Sequence, residues 1–223
     1  MFIVIEGTDG SGKATQTAML KERLEQEGKK TVTLSFPMYD YPSSALVRHY
    51  LNGDFGTDPM AVEPHAAALF YSADRAASAP LWKPAVLDPE VFSIADRYMG
   101  SNAIHQAAKL DNPCDKLDFF RWLSDLEFSQ LQLPRPDVTI FLNTSIDETM
   151  KRMKNRSLKS GEQHDIHEDN RMLQSLSNNT GLMAAKFYGW NIIECGDRSI
   201  KDISDEVYRL VEEALKRGTG DAA

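Results

Sequence analysis

A phosphate-binding signature lies within the first residues of the chain, MFIVIEGTDGSGKATQ. Gly7, Gly12 and Lys13 match the pattern G-x-x-x-x-G-K-[ST], in which backbone N–H groups and a lysine surround nucleotide phosphates. The last position of the pattern, where a hydroxyl group normally binds magnesium, is Ala14. These residues predict a nucleotide site, and they leave open whether the protein is a working kinase or a nucleotide-binding relic.

The signature has the local surroundings that phosphate binding needs. An apolar strand is expected over residues 2–6 and a helix over residues 13–26. The N–H groups of the loop, at the positive end of that helix, would surround the β-phosphate of a donor, while Lys13 spans the β- and γ-oxygens and Thr15 faces the α-phosphate. The residues expected to hold the donor phosphates are Gly10, Ser11, Gly12, Lys13, Ala14 and Thr15.

Two further motifs place polar side chains beside apolar elements. ADRYMGSN follows an apolar strand expected over residues 91–95, and ligands of parallel sheets bind beyond the carboxyl ends of strands. Asp96 is compatible with a structural salt bridge there, whereas the fork of donors on Arg97 suits a second phosphate. In LFYSADR, helical spacing puts Tyr71 and Arg75 on one face, a pattern that core packing alone also produces.

Short β-branched runs alternate with longer helical patterns along the chain. Strands are expected over 2–6, 31–36, 91–95, 138–142 and 191–195. Helices are expected over 13–26, 43–51, 64–78, 101–109, 114–131, 146–155, 168–188 and 200–217. This order predicts an α/β fold of one domain, residues 1–223, with a five-stranded parallel sheet and helices on both faces. The polar segment RSLKSGEQHDIHED, residues 156–169, is predicted to form a short lid.

Composition narrows the choice of function. The 223 residues carry a formal net charge of −8, which argues against a nucleic-acid or membrane-surface partner. Cys114 and Cys195 lie too far apart for a metal or redox motif. The apolar start MFIVI is too short for the core of a signal segment, and no apolar run reaches about 18 residues, so neither a signal segment nor a membrane span is expected. A cytoplasmic protein that binds small nucleotides is therefore expected.

Taken together, the motifs resemble thymidylate kinase, of the bacterial type. The resemblance rests on FIVIEGTDGSGKATQ, FPMY, FYSADR, DRYMGSNAIHQAAK and PDVTIFLNTSIDETMKR, and it extends over nearly the whole chain. It implies the fold of P-loop nucleoside monophosphate kinases and transfer of the ATP γ-phosphoryl group to dTMP, giving dTDP for DNA precursor synthesis. It also implies Mg²⁺, a homodimer and a lid that closes over the donor.

The resemblance implies roles for residues around the transferring phosphate. Lys13 and its loop would hold ATP, and Asp9 would lie between the acceptor, Arg97 and magnesium. Arg152 and Arg156 would lead into the lid and reach the transferring group. The implied catalytic residues are Lys13, Asp9, Arg97 and Arg156, and Arg152 joins the donor-binding residues.

It also implies how the acceptor is held. Arg97 would grip the acceptor phosphate, and Arg75 and Asn102 would hold the edge of thymine. Tyr71 would stack on the base, and His105 would lie near the 2′ edge of the sugar. The implied acceptor-binding residues are Asp9, Tyr39, Tyr71, Arg75, Arg97, Asn102 and His105.

The chain departs from the family at two places. Because Ala14 has no hydroxyl group, the metal ion is expected on phosphates, waters, Asp9 and Glu168. In FPMY, the family generally has an arginine just after the proline or one residue later, and here those residues are Met38 and Tyr39.

The second departure predicts a weaker grip on the acceptor phosphate. The cations that remain for it are Arg97 and, from the helix after the loop, Arg48. An arginine introduced at Met38 is expected to restore the grip. Two other functions stay open at this point: a kinase for another pyrimidine deoxynucleoside monophosphate, and a weakly active nucleotide-binding regulator.

Overall fold

Five parallel strands form the centre of the computed structural model, which describes residues 1–58, 60–152 and 171–220. The strands are β1 (Phe2–Glu6), β2 (Lys30–Ser35), β3 (Val91–Asp96), β4 (Val138–Asn143) and β5 (Asn191–Glu194). Their spatial order is β2-β3-β1-β4-β5, and all neighbouring strands run parallel. The predicted five-stranded parallel sheet is confirmed.

Helices connect the strands and cover both faces of the sheet. They are α1 (Lys13–Gln26), α2 (Ala45–Leu51), α3 (Pro64–Leu87), α4 (Met99–His105), α5 (Pro113–Ser124), α6 (described over 146–152), α7 (Arg171–Tyr188) and α8 (Ile200–Gly220). A 3₁₀ turn precedes α2 at Pro42–Ser44, another follows α4 at Ala107–Lys109, and a π-helix, Asp125–Gln130, continues α5.

Helix α3 is longer than the sequence predicts. The expected end is Ser78, before the first of two prolines, but the helix continues through Pro80 and Pro84 to Leu87. Each proline removes one N–H donor from the helix. Trp82 is buried between them, and its Nε1 donates to Ser78 Oγ over 3.2 Å. Tertiary packing therefore holds the last turns in place against the local preference of proline.

The two faces of the sheet bury separate apolar clusters because side chains alternate along each strand. Phe2 and Val4 of β1 belong to one cluster, together with Trp82 of α3. Ile3 and Ile5 belong to the other cluster, which includes buried side chains of α1 and α8.

The carboxyl ends of the strands lie along one edge of the sheet. Ile5 of β1 and Ser35 of β2 both pair with Asp96 of β3. The loops that leave this edge carry the phosphate signature after β1, FPMY after β2 and ADRYMGSN after β3. The sheet therefore brings together three motifs that are far apart in the sequence.

Some predictions fall outside the described residues. The predicted lid, residues 156–169, is one of them, and it includes Arg156 and Glu168. Within the described part of the chain, no helix combines the length and the hydropathy needed to cross a membrane.

Candidate active site

Two cationic side chains donate hydrogen bonds to the loop between β1 and α1. Gly10 and Gly12 have φ angles of 76° and 101°, in the left-handed region that glycine adopts without a Cβ clash. Lys13 Nζ donates to the carbonyl group of Thr8 over 2.9 Å. Arg152 Nη1 donates to the carbonyl group of Ser11 over 3.4 Å. The loop is therefore fixed, with positive charge beside the start of α1.

A cavity of about 410 Å³ opens beside this loop, and we call it the phosphate cavity. Its lining residues are Asp9, Gly10, Gly12, Lys13, Ala14, Thr15, Asp96, Arg97 and Arg152. Of the residues expected to bind the donor, Ser11 alone does not line the cavity, and its side chain is buried. Three cationic side chains face one space here, which suits a polyphosphate.

A second cavity, of about 190 Å³, lies next to the first, and we call it the acceptor cavity. Its lining residues are Asp9, Phe36, Pro37, Tyr39, Leu51, Tyr71, Arg75, Arg97, Tyr98, Ser101, Asn102, His105 and Gln106. They include the seven acceptor-binding residues that the resemblance implies, whereas Arg48, the other cation expected for the acceptor phosphate, is not among them. The two cavities share Asp9 and Arg97.

An ion pair between Asp9 and Arg97 lies where the two cavities meet. Arg97 has a φ angle of 71°, which is unusual for a residue with a side chain. Its backbone N–H donates to the carbonyl group of Ile5 over 3.1 Å. Its Nη1 lies 3.3 Å from both Ser101 Oγ and His105 Nε2. The guanidinium group is therefore held from several sides.

The charges at this junction set the protonation states of its groups. Burial disfavours the ionised form of Asp9, but the charges of Arg97 and Lys13 outweigh burial and hold the pKa of Asp9 well below its usual range. Burial and Arg97 together lower the pKa of Lys13 to about 8, although Asp9 and Asp96 act in the opposite direction. Asp9 is therefore ionised at neutral pH, and Lys13 loses its charge as the pH rises through about 8.

Glu6, the last residue of β1, lines neither cavity but supports residues of the acceptor cavity, and the sequence did not reveal it. Its buried carboxylate accepts hydrogen bonds from the N–H of Tyr98 at 2.8 Å, and from the N–H and hydroxyl of Ser101 at 3.0 and 2.7 Å. Burial raises the pKa of Glu6 although these hydrogen bonds oppose the change. The carboxylate fixes the start of α4 against the sheet. The feature of the sequence that could have revealed Glu6 is the acidic residue at the end of the apolar run FIVIE.

Arg75 is held by Glu127, which the sequence also did not reveal. Arg75 Nε donates to Glu127 Oε2 over 2.9 Å, and Nη2 donates to Oε1. The hydroxyl group of Ser72 donates to the same carboxylate over 2.8 Å. Among the described residues, Nη1 of Arg75 has no hydrogen-bond partner, so it is the donor left for a ligand. Helical spacing, which puts Glu127 on the face of the buried Phe120 and Leu123, was the available signal.

Two amide side chains, those of Asn102 and Gln106, line the acceptor cavity. Asn102 Nδ2 donates to the carbonyl group of Ala68 over 3.0 Å, which leaves Oδ1 as the end of the amide available to a ligand. Gln106, absent from the sequence prediction, also lines the cavity. Its Oε1 is buried and has no hydrogen-bond partner within residues 1–58, 60–152 and 171–220. An unpaired buried oxygen is costly, which favours a donor from a ligand.

The chain matches the family model described as Thymidylate kinase over residues 5–207. It belongs to the thymidylate kinase family. A relative from Thermococcus onnurineus, named as a probable thymidylate kinase, is 33% identical over 222 residues, covering 97% of this chain and 100% of the relative. The thymidylate kinase of Mycobacterium tuberculosis is 32% identical over 195 residues, covering 85% and 87%. The solved structure of thymidylate kinase from Candida albicans has a TM-score of 0.72 at 26% identity, covering 95% of this chain and 90% of that one.

The structural likeness confirms the P-loop kinase fold that the sequence predicts. The relatives of the chain include proteins from archaea as well as bacteria, so its assignment to a bacterial type stays a prediction.

The loop after β2 lacks the arginine that the family generally has, and its contacts show how the chain differs there. The N–H of Met38 donates to Asp74 Oδ2 over 2.9 Å, and the Met38 side chain packs against the apolar cluster rather than lining the acceptor cavity. Tyr39 does line the cavity and is 51% exposed. Arg48 Nη1 donates to the carbonyl group of Tyr39 over 2.7 Å, and Arg48 does not line the cavity. Of the two cations expected for the acceptor phosphate, Arg97 is the one in the cavity.

The phosphate cavity also offers oxygen ligands that fit a magnesium ion. Asp9 and Asp96 both line it, whereas Ala14 contributes no ligand atom. Asp96 Oδ1 is buried and lacks a hydrogen-bond partner among the residues the structure describes. Magnesium needs only one or two carboxylates when phosphates and waters complete its shell. Glu168, the second predicted ligand, lies outside the described residues.

The pKa of Lys13 predicts a pH dependence of triphosphate binding. Protonated Lys13 attracts phosphate, so the affinity for the triphosphate is highest below pH 7 and decreases as the pH rises through about 8. Between pH 7 and pH 9, the protonated fraction of a group with a pKa of about 8 falls about tenfold. The dissociation constant of metal-free ATP should therefore rise by up to about tenfold. Calorimetric titration in EDTA measures it. Lys13→Arg, which keeps its charge, should give a flat profile, and a parallel rise in that variant would assign the effect to another group.

The loop after β2 predicts opposite results for two neighbouring substitutions. Tyr39→Arg places a cation in the acceptor cavity and should lower the KM of the acceptor about fivefold, with the KM of ATP unchanged, since an ion pair at a half-exposed position is worth about 1 kcal/mol. Met38→Arg directs a charge at the apolar cluster and should cost about 1–3 kcal/mol of stability without lowering that KM. Steady-state kinetics and urea denaturation measure both. A lower acceptor KM for Met38→Arg alone would mean that the loop follows another path.

Proposed function

We propose that the protein transfers the γ-phosphoryl group of ATP to dTMP, giving dTDP. The observation that supports this most is the pair of adjoining cavities, one suited to phosphates and one to an acceptor, which meet at Asp9 and Arg97 in a chain of the thymidylate kinase family. A regulator that only binds nucleotide would not need the second cavity. The named relatives also favour the kinase over the alternatives.

Hydrogen-bonding groups of the acceptor cavity suit thymine. Arg75 Nη1 is a donor, and Asn102 Oδ1 and Gln106 Oε1 are acceptors. Thymine presents the complementary pair, a carbonyl oxygen at C4 and an N–H at N3, whereas cytosine presents an amino group and an unprotonated nitrogen. Tyr71 lies on the same wall, where its ring would stack on the base, and His105 would lie near the sugar.

Transfer depends on positioning and charge rather than on a covalent step. A dianionic acceptor phosphate is already a nucleophile near neutral pH, so no strong general base is required. Lys13 and the loop would hold the donor, and Arg97 would align the acceptor phosphate at the boundary of the cavities. Arg152 would stabilise the negative charge of the transferring group. Arg156, outside the described residues, keeps its predicted role beside it.

We propose Asp9 and Asp96 as the residues that hold Mg²⁺, with Glu168 kept as a predicted ligand. The ion would neutralise charge on the donor phosphates. Asp9 is suited to this because the positive charges around it keep it ionised. The pairing of Asp9 with Arg97 also fixes where the carboxylate lies.

We also propose a homodimer formed through α3. The exposed residues of this helix are all apolar: Leu69, Ala73, Ala77, Pro80, Leu81, Pro84 and Leu87. Of its charged residues, Asp74 and Arg75 are buried, and the half-buried Lys83 donates to the carbonyl group of Gln132 over 2.9 Å. The stripe from Leu69 to Leu87 extends over about 27 Å of the helix, which is longer than scattered exposure of single side chains explains.

The acceptor is tested with a panel of deoxynucleoside monophosphates. ADP release with ATP and Mg²⁺ should be fastest with dTMP and slower with dUMP, with dCMP and purine nucleotides at least a hundredfold lower in kcat/KM. Lys13→Ala should abolish the dTMP signal while the circular dichroism spectrum is kept. Binding of ATP without turnover of any nucleotide would instead support the regulator.

The dimer is tested by the mass in solution. Light scattering should give about twice the chain mass of 25.0 kDa. Leu81→Glu, at a residue 48% exposed, should halve that mass because it places a charge in the centre of the stripe. Leu131→Glu, at a residue 37% exposed on another element, is the matched control and should stay dimeric. A dimer that persists in Leu81→Glu would place the interface elsewhere.

A further inference from the structure

The π-helix after α5 presents an acidic residue to the core. Phe119, Phe120 and Leu123 are the buried residues of α5, and Glu127 is buried on the same side one turn further along. A π-helix changes the direction in which side chains leave a helix, and such segments often occur at functional sites. At this position an ordinary core has an apolar residue, because a buried carboxylate needs a partner.

The partner, Arg75, is bound in one orientation. Two of its nitrogens donate to the two oxygens of Glu127, and Ser72 donates to the same carboxylate over 2.8 Å. The relative exposures of the two charged side chains are 2% and 0%, so water does not compete for these bonds. A bidentate pair fixes the plane of the guanidinium group as well as its position. Because Arg75 lines the acceptor cavity, Nη1, the nitrogen without a partner among the described residues, is also held in one orientation beside it.

The pair also changes what Arg75 offers to a ligand. Burial alone would lower the pKa of Arg75, but Glu127 outweighs burial and raises it, so the guanidinium group stays protonated. Because Glu127 cancels its charge, this end of the cavity offers a directed N–H rather than a free cation. A directed N–H distinguishes a carbonyl oxygen from an amino group, whereas a mobile cation adapts to several ligands.

We infer that Glu127 is a positioning residue that makes the acceptor cavity selective for pyrimidines with an oxo group at C4 over those with an amino group. This inference rests on the proposed function. Glu127 acts through Arg75 and does not line the cavity itself. Without the carboxylate, Arg75 is free to turn, and its N–H groups no longer oppose the amino group of cytosine.

The test compares kcat/KM for dTMP, dUMP and dCMP in the full chain and in three variants. Glu127→Gln removes the charge and turns an amide N–H toward the guanidinium group, so the dTMP to dCMP ratio should fall at least tenfold. Glu127→Asp keeps the charge but is too short for the same bidentate pair, so the ratio should fall about threefold or more. Asp125→Asn lies on the same π-helix at an exposed residue and should leave the ratio unchanged.

Folding is checked by thermal melting, since loss of one partner of a buried pair is strongly destabilising. If Glu127→Gln does not fold, Glu127→Asp decides the question because Arg75 keeps an anionic partner. A folded variant of Glu127 with the wild-type ratio overturns the inference, even if all its rates are lower. Failure of the unmodified protein to use dTMP would instead overturn the proposed function.

Discussion

The ion pair between Asp9 and Arg97 is the interaction around which the site is arranged. The two residues follow neighbouring strands of the sheet, β1 and β3, and their side chains meet where the two cavities adjoin. The sheet fixes the separation of the strand ends, and the ion pair fixes the side chains within that separation. Two anionic substrates that approach from opposite sides would therefore meet at a defined point. Positioning of this kind is the main requirement of phosphoryl transfer.

The protein binds anions despite its acidic composition because its cations are held in place by acidic partners. The formal net charge is −8, yet both cavities contain arginine side chains. Arg97 pairs with Asp9, and Arg75 pairs with Glu127. The guanidinium group of Arg75 is buried and that of Arg97 is half-buried, and in each case the acidic partner orients the group and offsets part of its charge. Local geometry, rather than net charge, decides what the site can bind.

Features of the site that depend on neighbouring residues are predictable from the sequence, and those that depend on distant contacts are not. The phosphate loop follows from local glycine and lysine spacing, and the strands follow from short apolar runs. The partnership of Arg75 with Glu127 joins residues 52 positions apart, so no local pattern reveals it. The direction of the Met38 side chain depends on the path of its backbone, which Asp74 fixes by accepting a hydrogen bond from the N–H of Met38. The predicted end of α3 at Ser78 was wrong because the packing of buried Trp82 outweighs the local effect of the prolines.

Helix α3 differs from the usual surface helix, since Asp74 and Arg75 are buried and all of its fully exposed residues are apolar. Helix α8 has the ordinary arrangement, with exposed ion pairs such as that between Lys201 and Asp205. Exposed ion pairs contribute little to stability, so one charged residue can replace another there. On α3, a substitution at Tyr71 or Arg75 alters the acceptor cavity, and a charged residue at an exposed position interrupts the apolar stripe. Over evolutionary time, mutations should therefore accumulate faster on the exposed face of α8 than on α3.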